Sequence, residues 1–137
     1  MANTIMLKCY SDNIEQADAG EAGIYPGHLL SRNTSGEFIL HAGASTKGEV
    51  MFAIEDDLEG EGITDVYTSG TPVRAIHAYS GDEINALIKS GENIAIGDVL
   101  EPYSDGTLVE GSTAPVAIAI EAISSAVSGT HYAVKIL

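Results

Sequence analysis

The sequence contains no tryptophan, few aromatic side chains, and only six basic residues against twenty acidic ones. A formal charge of −14 would repel phosphate backbones and anionic lipid surfaces, so we expect binding neither to nucleic acid nor to a membrane. Its apolar runs fall far short of the roughly 20 residues that span a bilayer. The N-terminal residues lack a basic start, a long apolar core and a cleavage site, so no export signal is expected.

A single cysteine, Cys9, excludes an internal disulfide and is typical of proteins that mature in a reducing cytoplasm. We expect a small buried side chain there rather than a reactive thiol.

The chain has 137 residues, with 15 glycines and 4 prolines among many Val, Ile, Ala and Leu residues. This length favours one domain covering residues 1–137, and the composition favours short strands joined by tight turns. We therefore predict an all-β fold, mainly an antiparallel small barrel or sandwich. Residues 1–10 form either an extended N-terminal arm or the first strand of the domain itself.

A sequence pattern occurs twice, at 24–39 and at 94–109. Each copy has an apolar residue, a glycine turn, a short apolar segment, a polar tip that ends in glycine, and a second apolar segment. The pattern predicts a β-hairpin in each half, with Asp105-Gly106 as the clearest turn signal.

Further similarities follow each hairpin. Ala53-Ile54-Glu55 matches Ala119-Ile120-Glu121, and strands are predicted at 71–79 and 130–137. Two similar β-units explain this order most simply. The similarity arises either from duplication or from the constraints that β-structure imposes on any sequence.

One segment, 80–91, predicts a helix near 81–89. Ser80 and Glu83 have the spacing of a capping box, Ile84, Leu87 and Ile88 recur at helical spacing, and Gly91 provides a stop. A helix of about two turns must plug an open end of the β-structure or contact a neighbouring subunit.

No catalytic, cofactor-binding or metal-binding pattern is found. His28, His41, His77 and His131 occur singly, without the spacing of zinc ligands. No serine lies in a nucleophile elbow. The acidic segment 55–65 lacks the ligand order of an EF-hand, so we expect a solvated loop, with a weak cation site as the alternative.

The second half of the chain, 71–137, resembles the head decoration, or capsid cement, proteins of tailed bacteriophages. The resemblance rests on strand and turn motifs, namely 81–86, Ile96-Gly97-Asp98, Leu100-Glu101, Asp105-Gly106 and 117–122. It covers the first half less specifically, through 23–38 and 51–57. Because these motifs form turns and strands rather than reactive sites, they specify architecture better than function.

The resemblance implies a β-tulip-like protein that binds the outer surface of the capsid and bridges subunits of the major capsid protein. It also implies self-association, with a trimer favoured, and no enzymatic activity. The protein would be made in the host cytoplasm and reside on the virion. A carbohydrate-binding or adhesion module displayed on a particle is the alternative.

Candidate contact residues come from the N-terminal segment and from the predicted helix. For capsid contact we select Asn3, Thr4, Ile5, Met6 and Leu7, because an N-terminal β-segment can add a strand to another protein's sheet. For the subunit interface we select Tyr79, Ile84, Leu87 and Ile88. Tyr25, Tyr67, Tyr79 and Tyr103 lie near bends and serve either as interface anchors or as closures of the β-structure.

Overall fold

The computed structural model describes residues 4–10, 12–45 and 49–137, and it confirms an all-β fold. Within these ranges the helical content is one 3-10 turn at Asp57–Glu59. The strands are β1 (Met6–Lys8), β2 (Ile14–Asp18), β3 (Leu29–Arg32), β4 (Phe38–Leu40), β5 (Met51–Ala53), β6 (Pro72–His77), β7 (Glu83–Leu87), β8 (Val99–Pro102), β9 (Leu108–Glu110), β10 (Ala117–Ala119) and β11 (His131–Ile136).

The strands form two antiparallel sheets that do not close into a barrel. The five-stranded sheet has the order β2-β6-β5-β3-β4, and the six-stranded sheet has the order β1-β7-β11-β10-β8-β9. Both predicted hairpins are present, as β3–β4 and β8–β9. The predicted strands at 71–79 and 130–137 are also confirmed, as β6 and β11.

The two sheets repeat one topology. Strands β2 to β6 of the five-stranded sheet correspond, in chain order, to strands β7 to β11 of the six-stranded sheet, and corresponding strands occupy the same positions in the two sheets. Strand β1 is an additional strand at the outer edge of the six-stranded sheet. Smaller features repeat as well: a parallel bridge joins Ala19 to Phe38 in one half and Ile88 to Leu108 in the other. The internal repeat is therefore a property of the structure and not only of the sequence pattern.

The turn before each hairpin is also repeated. Gly27 and Gly97 have φ values of 96° and 95°, a region that side chains other than glycine rarely adopt. The N–H of Gly27 donates to the carbonyl of Ala53, and the N–H of Gly97 donates to the carbonyl of Ala119. These bonds explain why glycine occurs at the same place in both copies of the pattern.

One core joins the two sheets. Leu29, Phe52 and Ile76 of the first sheet pack with Ile84 and Leu100 of the second, and all five are buried. Burying a side chain of this size contributes about 1.5–3 kcal/mol relative to leaving it exposed. A second, smaller cluster on the five-stranded sheet contains Ile24, Leu30, Phe38, Met51, Tyr67 and Val73.

The predicted helix near 81–89 is wrong, because this segment contains strand β7. The strand pairs with β11 along its whole length and with β1 on its other side. Hydrogen bonds on both edges therefore outweigh the local helical signal. Asp82 does not cap a helix: its buried carboxylate accepts hydrogen bonds from the N–H groups of Tyr10 and Tyr79, each at 3.0 Å.

Candidate functional site

The N-terminal strand β1 lies at an edge of the six-stranded sheet. The N–H of Asn85 donates to the carbonyl of Ile5 at 2.8 Å, and Met6 lies opposite Ile84. In an antiparallel pair this geometry turns the N–H and C=O of Met6 away from β7. The Thr4 hydroxyl donates to the Met6 carbonyl at 3.0 Å, on the open side of the strand. No strand of the described residues pairs with this side of β1, and an open edge of this kind can accept a strand from another chain.

The five residues selected for capsid contact have different environments. Asn3 lies outside the described residues. Thr4 is exposed, Met6 packs partly against the core, and the Leu7 side chain is 43% exposed. Ile5 is fully buried in the chain's own core, so its side chain is not available to a partner. Within 4–7, the accessible features are Thr4, Leu7 and the backbone of Met6.

The residues selected for a subunit interface are mostly internal. Ile84 and Leu87 are buried, because β7 is an inner strand rather than an exposed helix, and Ile88, which follows the strand and bridges to Leu108, is buried as well. They are therefore not available to a neighbouring subunit. Tyr79 is half exposed, and its hydroxyl accepts a hydrogen bond from the Asn13 side chain at 3.2 Å.

Tyr10 contributes an exposed aromatic surface beside β1 that the sequence reading missed. Its side chain is 85% exposed. The buried Asp82 holds the backbone of both Tyr10 and Tyr79, and the Tyr10 ring lies against Gly81. Of the other tyrosines, Tyr67 is buried, and its hydroxyl donates to the Ile54 carbonyl at 2.6 Å.

The turn 25–28 of the first half is covered by the second half. The carbonyl of Gly27 accepts the N–H of Leu87 at 3.1 Å, and a Cβ on Gly27 would lie 2.7 Å from the His131 ring. Pro26 is buried, and its carbonyl is 2.8 Å from Nε2 of His131.

The equivalent turn 95–98 of the second half is exposed and is not covered by the described residues of the first half. Ile96, the counterpart of Pro26, is 68% exposed, and apart from Gly97 and its two chain neighbours no described residue has an atom within 4 Å of a Cβ placed on Gly97. The corresponding strand edge in the first half is also open, because β2 is an outermost strand and Asp18 at its end is exposed. The turn 95–98 and the β2 edge are therefore both left uncovered by the described residues, whereas their counterparts, the turn 25–28 and strand β7, contact each other within the chain.

A groove of about 440 Å³ runs between the two halves. Its ring and carboxylate groups come from Tyr25, His28, Asp105 and His131. The remaining lining residues are apolar or carry hydroxyl groups, apart from two glycines: Gly23, Ile63, Thr64, Leu87, Ile88, Ser90, Thr107, Ser128 and Gly129. Burial lowers the pKa of His28 to about 4, with Asp105 opposing and His131 reinforcing the shift. His28 is therefore neutral at pH 7.

The acidic segment 55–65 is organised by local bonds. Arg74 contacts Asp57 at 2.6 Å, and Asp65 accepts the N–H of Gly62 at 2.6 Å. Hydrogen bonding and charge repulsion from Asp65 raise the pKa of the Glu61 carboxyl. Among the residues that the structure describes, no group of three or more His, Cys, Asp or Glu side chains is arranged to hold a metal ion.

The Cys9 thiol is partly buried. Burial, with the nearby Asp82 carboxylate, raises its pKa to about 11. The thiol is therefore protonated at neutral pH and is a weak nucleophile.

A scan against models of known protein families and a search of curated proteins both find no match. In the described part of the chain, no helix has the length and apolar character needed to cross a membrane.

Proposed function

We propose that the protein is a capsid decoration protein that binds the exterior of a phage head, with the open edge of β1 receiving an extended segment of the major capsid protein. The outward backbone of Met6 carries this proposal. A capsid segment pairing there would gain main-chain hydrogen bonds, and the exposed side chains of Leu7 and Tyr10 would add apolar contact.

Decoration requires no chemistry, since the protein acts by burying surface on several shell subunits at once. Many modest contacts then add through multivalency, and the assembled shell is stabilised because the protein binds it selectively. The charge of −14 suits a position on the outer surface, away from the packaged genome. The resemblance of 71–137 to phage decoration proteins supports the same function.

Met6→Pro tests the role of the β1 edge. Proline removes the outward N–H of Met6 and leaves the bond between Ile5 and Asn85 in place, so the domain should remain folded. We expect affinity for expanded, undecorated heads of the parent phage to fall about tenfold, through loss of one main-chain hydrogen bond and obstruction of the edge.

Met6→Ala is the matched control, because it shortens the same side chain and keeps the N–H. It should bind heads nearly as well as the wild type. Co-sedimentation across a protein concentration series measures both affinities, and circular dichroism checks folding. Equal binding by folded Met6→Pro protein would exclude strand addition at this edge.

Self-association is part of the proposal, and the internal repeat suggests its geometry. In one chain, the carbonyl of Gly27 accepts the N–H of Leu87. The equivalent contact between two copies joins the Gly97 carbonyl of one copy to the Asp18 N–H of the next, covering Ile96. Such a head-to-tail contact closes into a ring or continues as a filament. A trimer is the ring we favour.

Ile96→Asp tests this contact. Placing a carboxylate at the centre of the proposed interface should convert a trimer to monomers in size-exclusion chromatography with light scattering. Leu58→Asp is the control, since Leu58 is more exposed, at 79% against 68% for Ile96, but lies on the acidic segment. A wild-type protein that is monomeric at all concentrations, or an Ile96→Asp variant that remains trimeric, would contradict the arrangement.

A further inference from the structure

The groove between the two halves has the composition of a ligand site rather than of an accidental crevice. Buried Leu87 and Ile88 contribute apolar surface, and the Tyr25 side chain is 41% exposed. The rings of Tyr25 and His28 meet edge to face, with centroids 6.1 Å apart. The volume, about 440 Å³, lies within the range of about 300–1,000 Å³ typical of small-molecule sites.

The two histidines of the groove have opposite hydrogen-bonding roles. Nδ1 of His28 accepts the N–H of Tyr25 at 3.0 Å, so the proton of this neutral ring is on Nε2. Nε2 of His131 lies 2.8 Å from the Pro26 carbonyl, which can only accept, so that nitrogen carries a proton. In its neutral form, His131 has Nδ1 free as an acceptor. No partner for His28 Nε2 or His131 Nδ1 is found in the described part of the chain.

A hydroxyl group matches this arrangement, because it both donates and accepts. His28 offers a donor, the neutral form of His131 an acceptor, and Asp105 a charged acceptor. The Thr107 hydroxyl donates to Asp105 and so offers an acceptor, whereas other hydroxyls of the lining, such as that of Ser90, can both donate and accept. An anion is disfavoured by Asp105, the one formally charged group in the lining. An exposed aromatic ring adds a flat apolar surface.

We infer that this groove binds a neutral carbohydrate, with the apolar face of a sugar ring against Tyr25 and its hydroxyls bonded to His28, His131 and Asp105. None of these residues belongs to β1, the 95–98 turn or the β2 edge. Carbohydrate binding is therefore separate from head binding and self-association, and a decorated particle could display it as a second activity.

The test is NMR titration of the ¹⁵N-labelled wild-type protein with the methyl glycosides of glucose, galactose, mannose and N-acetylglucosamine. N-acetylneuraminic acid is the anionic comparator. We expect at least one neutral glycoside to shift the amides of the groove residues saturably, and the anionic sugar to bind more weakly. No saturable shift with any neutral glycoside, shifts confined to other surfaces, or stronger binding of the anionic sugar would overturn the inference.

Two substitutions sharpen the assignment. Tyr25→Ala removes the ring but keeps the backbone N–H that bonds His28, and His28→Asn removes the Nε2 donor. Each should weaken glycoside binding roughly five- to tenfold, the effect of losing one modest contact. Tyr10→Ala, which removes a more exposed tyrosine from another surface, should bind as the wild type does. Unchanged binding by folded Tyr25→Ala and His28→Asn proteins would also overturn the inference.

Discussion

At the scale of single residues, equivalent positions of the two halves hold different side chains that make the same bond. His28 accepts the N–H of Tyr25 through Nδ1, and Asp98 accepts the N–H of Ala95 through Oδ2 at 2.8 Å. The turn requires an acceptor at this place, and either side chain supplies it. Only the histidine also lines the groove.

The pH dependence of stability tests the environment of His28. Its pKa is about 4 in the folded chain, against an ordinary value of 6.5. Between these values the unfolded chain binds more protons, so the free energy of unfolding decreases as the pH falls from about 6.5 to about 4. The loss attributable to His28, which faces Asp105 and His131, is up to about 3 kcal/mol.

His28→Asn isolates this contribution, because asparagine keeps an acceptor for the Tyr25 N–H but does not titrate. Urea denaturation at pH 7 and pH 4 should show a smaller loss of stability on acidification in the variant than in the wild type. An identical loss in both proteins would mean that the partly buried, neutral state of His28 is not a source of acid sensitivity.

At the scale of elements, the sequence predicted segments whose signal is local. Both hairpins have turn residues between short apolar runs, and they were found where the pattern placed them. The segment 83–87 was not predicted as a strand, because Ile84, Leu87 and Ile88 also fit a helical period. The burial of β7 does not alternate, because Ile84 to Leu87 are all buried, so its correspondence to β2 in the repeat was the remaining signal for a strand.

The candidate sites were less predictable than the strands. The edge position of β1 follows from its pairing with β7, which no local pattern reveals. The groove joins Tyr25 and His28 to His131, residues far apart in the chain. Asp82 lies in the segment predicted as a helix, yet it is buried and accepts hydrogen bonds from two backbone N–H groups. Such features depend on tertiary placement.

The two turn glycines offer a matched comparison. Gly27→Ala and Gly97→Ala both place a side chain at positive φ, which costs about 1–2 kcal/mol. At Gly27 the new methyl would also lie 2.7 Å from the His131 ring, whereas at Gly97 no described residue beyond the two chain neighbours lies within 4 Å of it. Chemical denaturation should therefore show the larger loss of stability for Gly27→Ala. Equal losses would show that the turn 25–28 does not pack tightly against the second half.

At the scale of the whole molecule, two units of one topology share a core, but their outer surfaces differ. The second unit has its edge strand covered by β1 and by the turn of the first unit, whereas the first unit's edge at β2 is open. These open features suit a protein that completes its contacts on a larger assembly. The proposed capsid function explains them together with the acidic charge.

The most direct measurement adds the purified wild-type protein to expanded, undecorated heads of the parent phage and records both co-sedimentation and the melting temperature of the heads. A decoration protein should bind saturably, at a fixed number of copies per head, and raise that melting temperature. Absence of binding, or binding that leaves the melting temperature unchanged, would contradict the proposal that this protein stabilises a capsid.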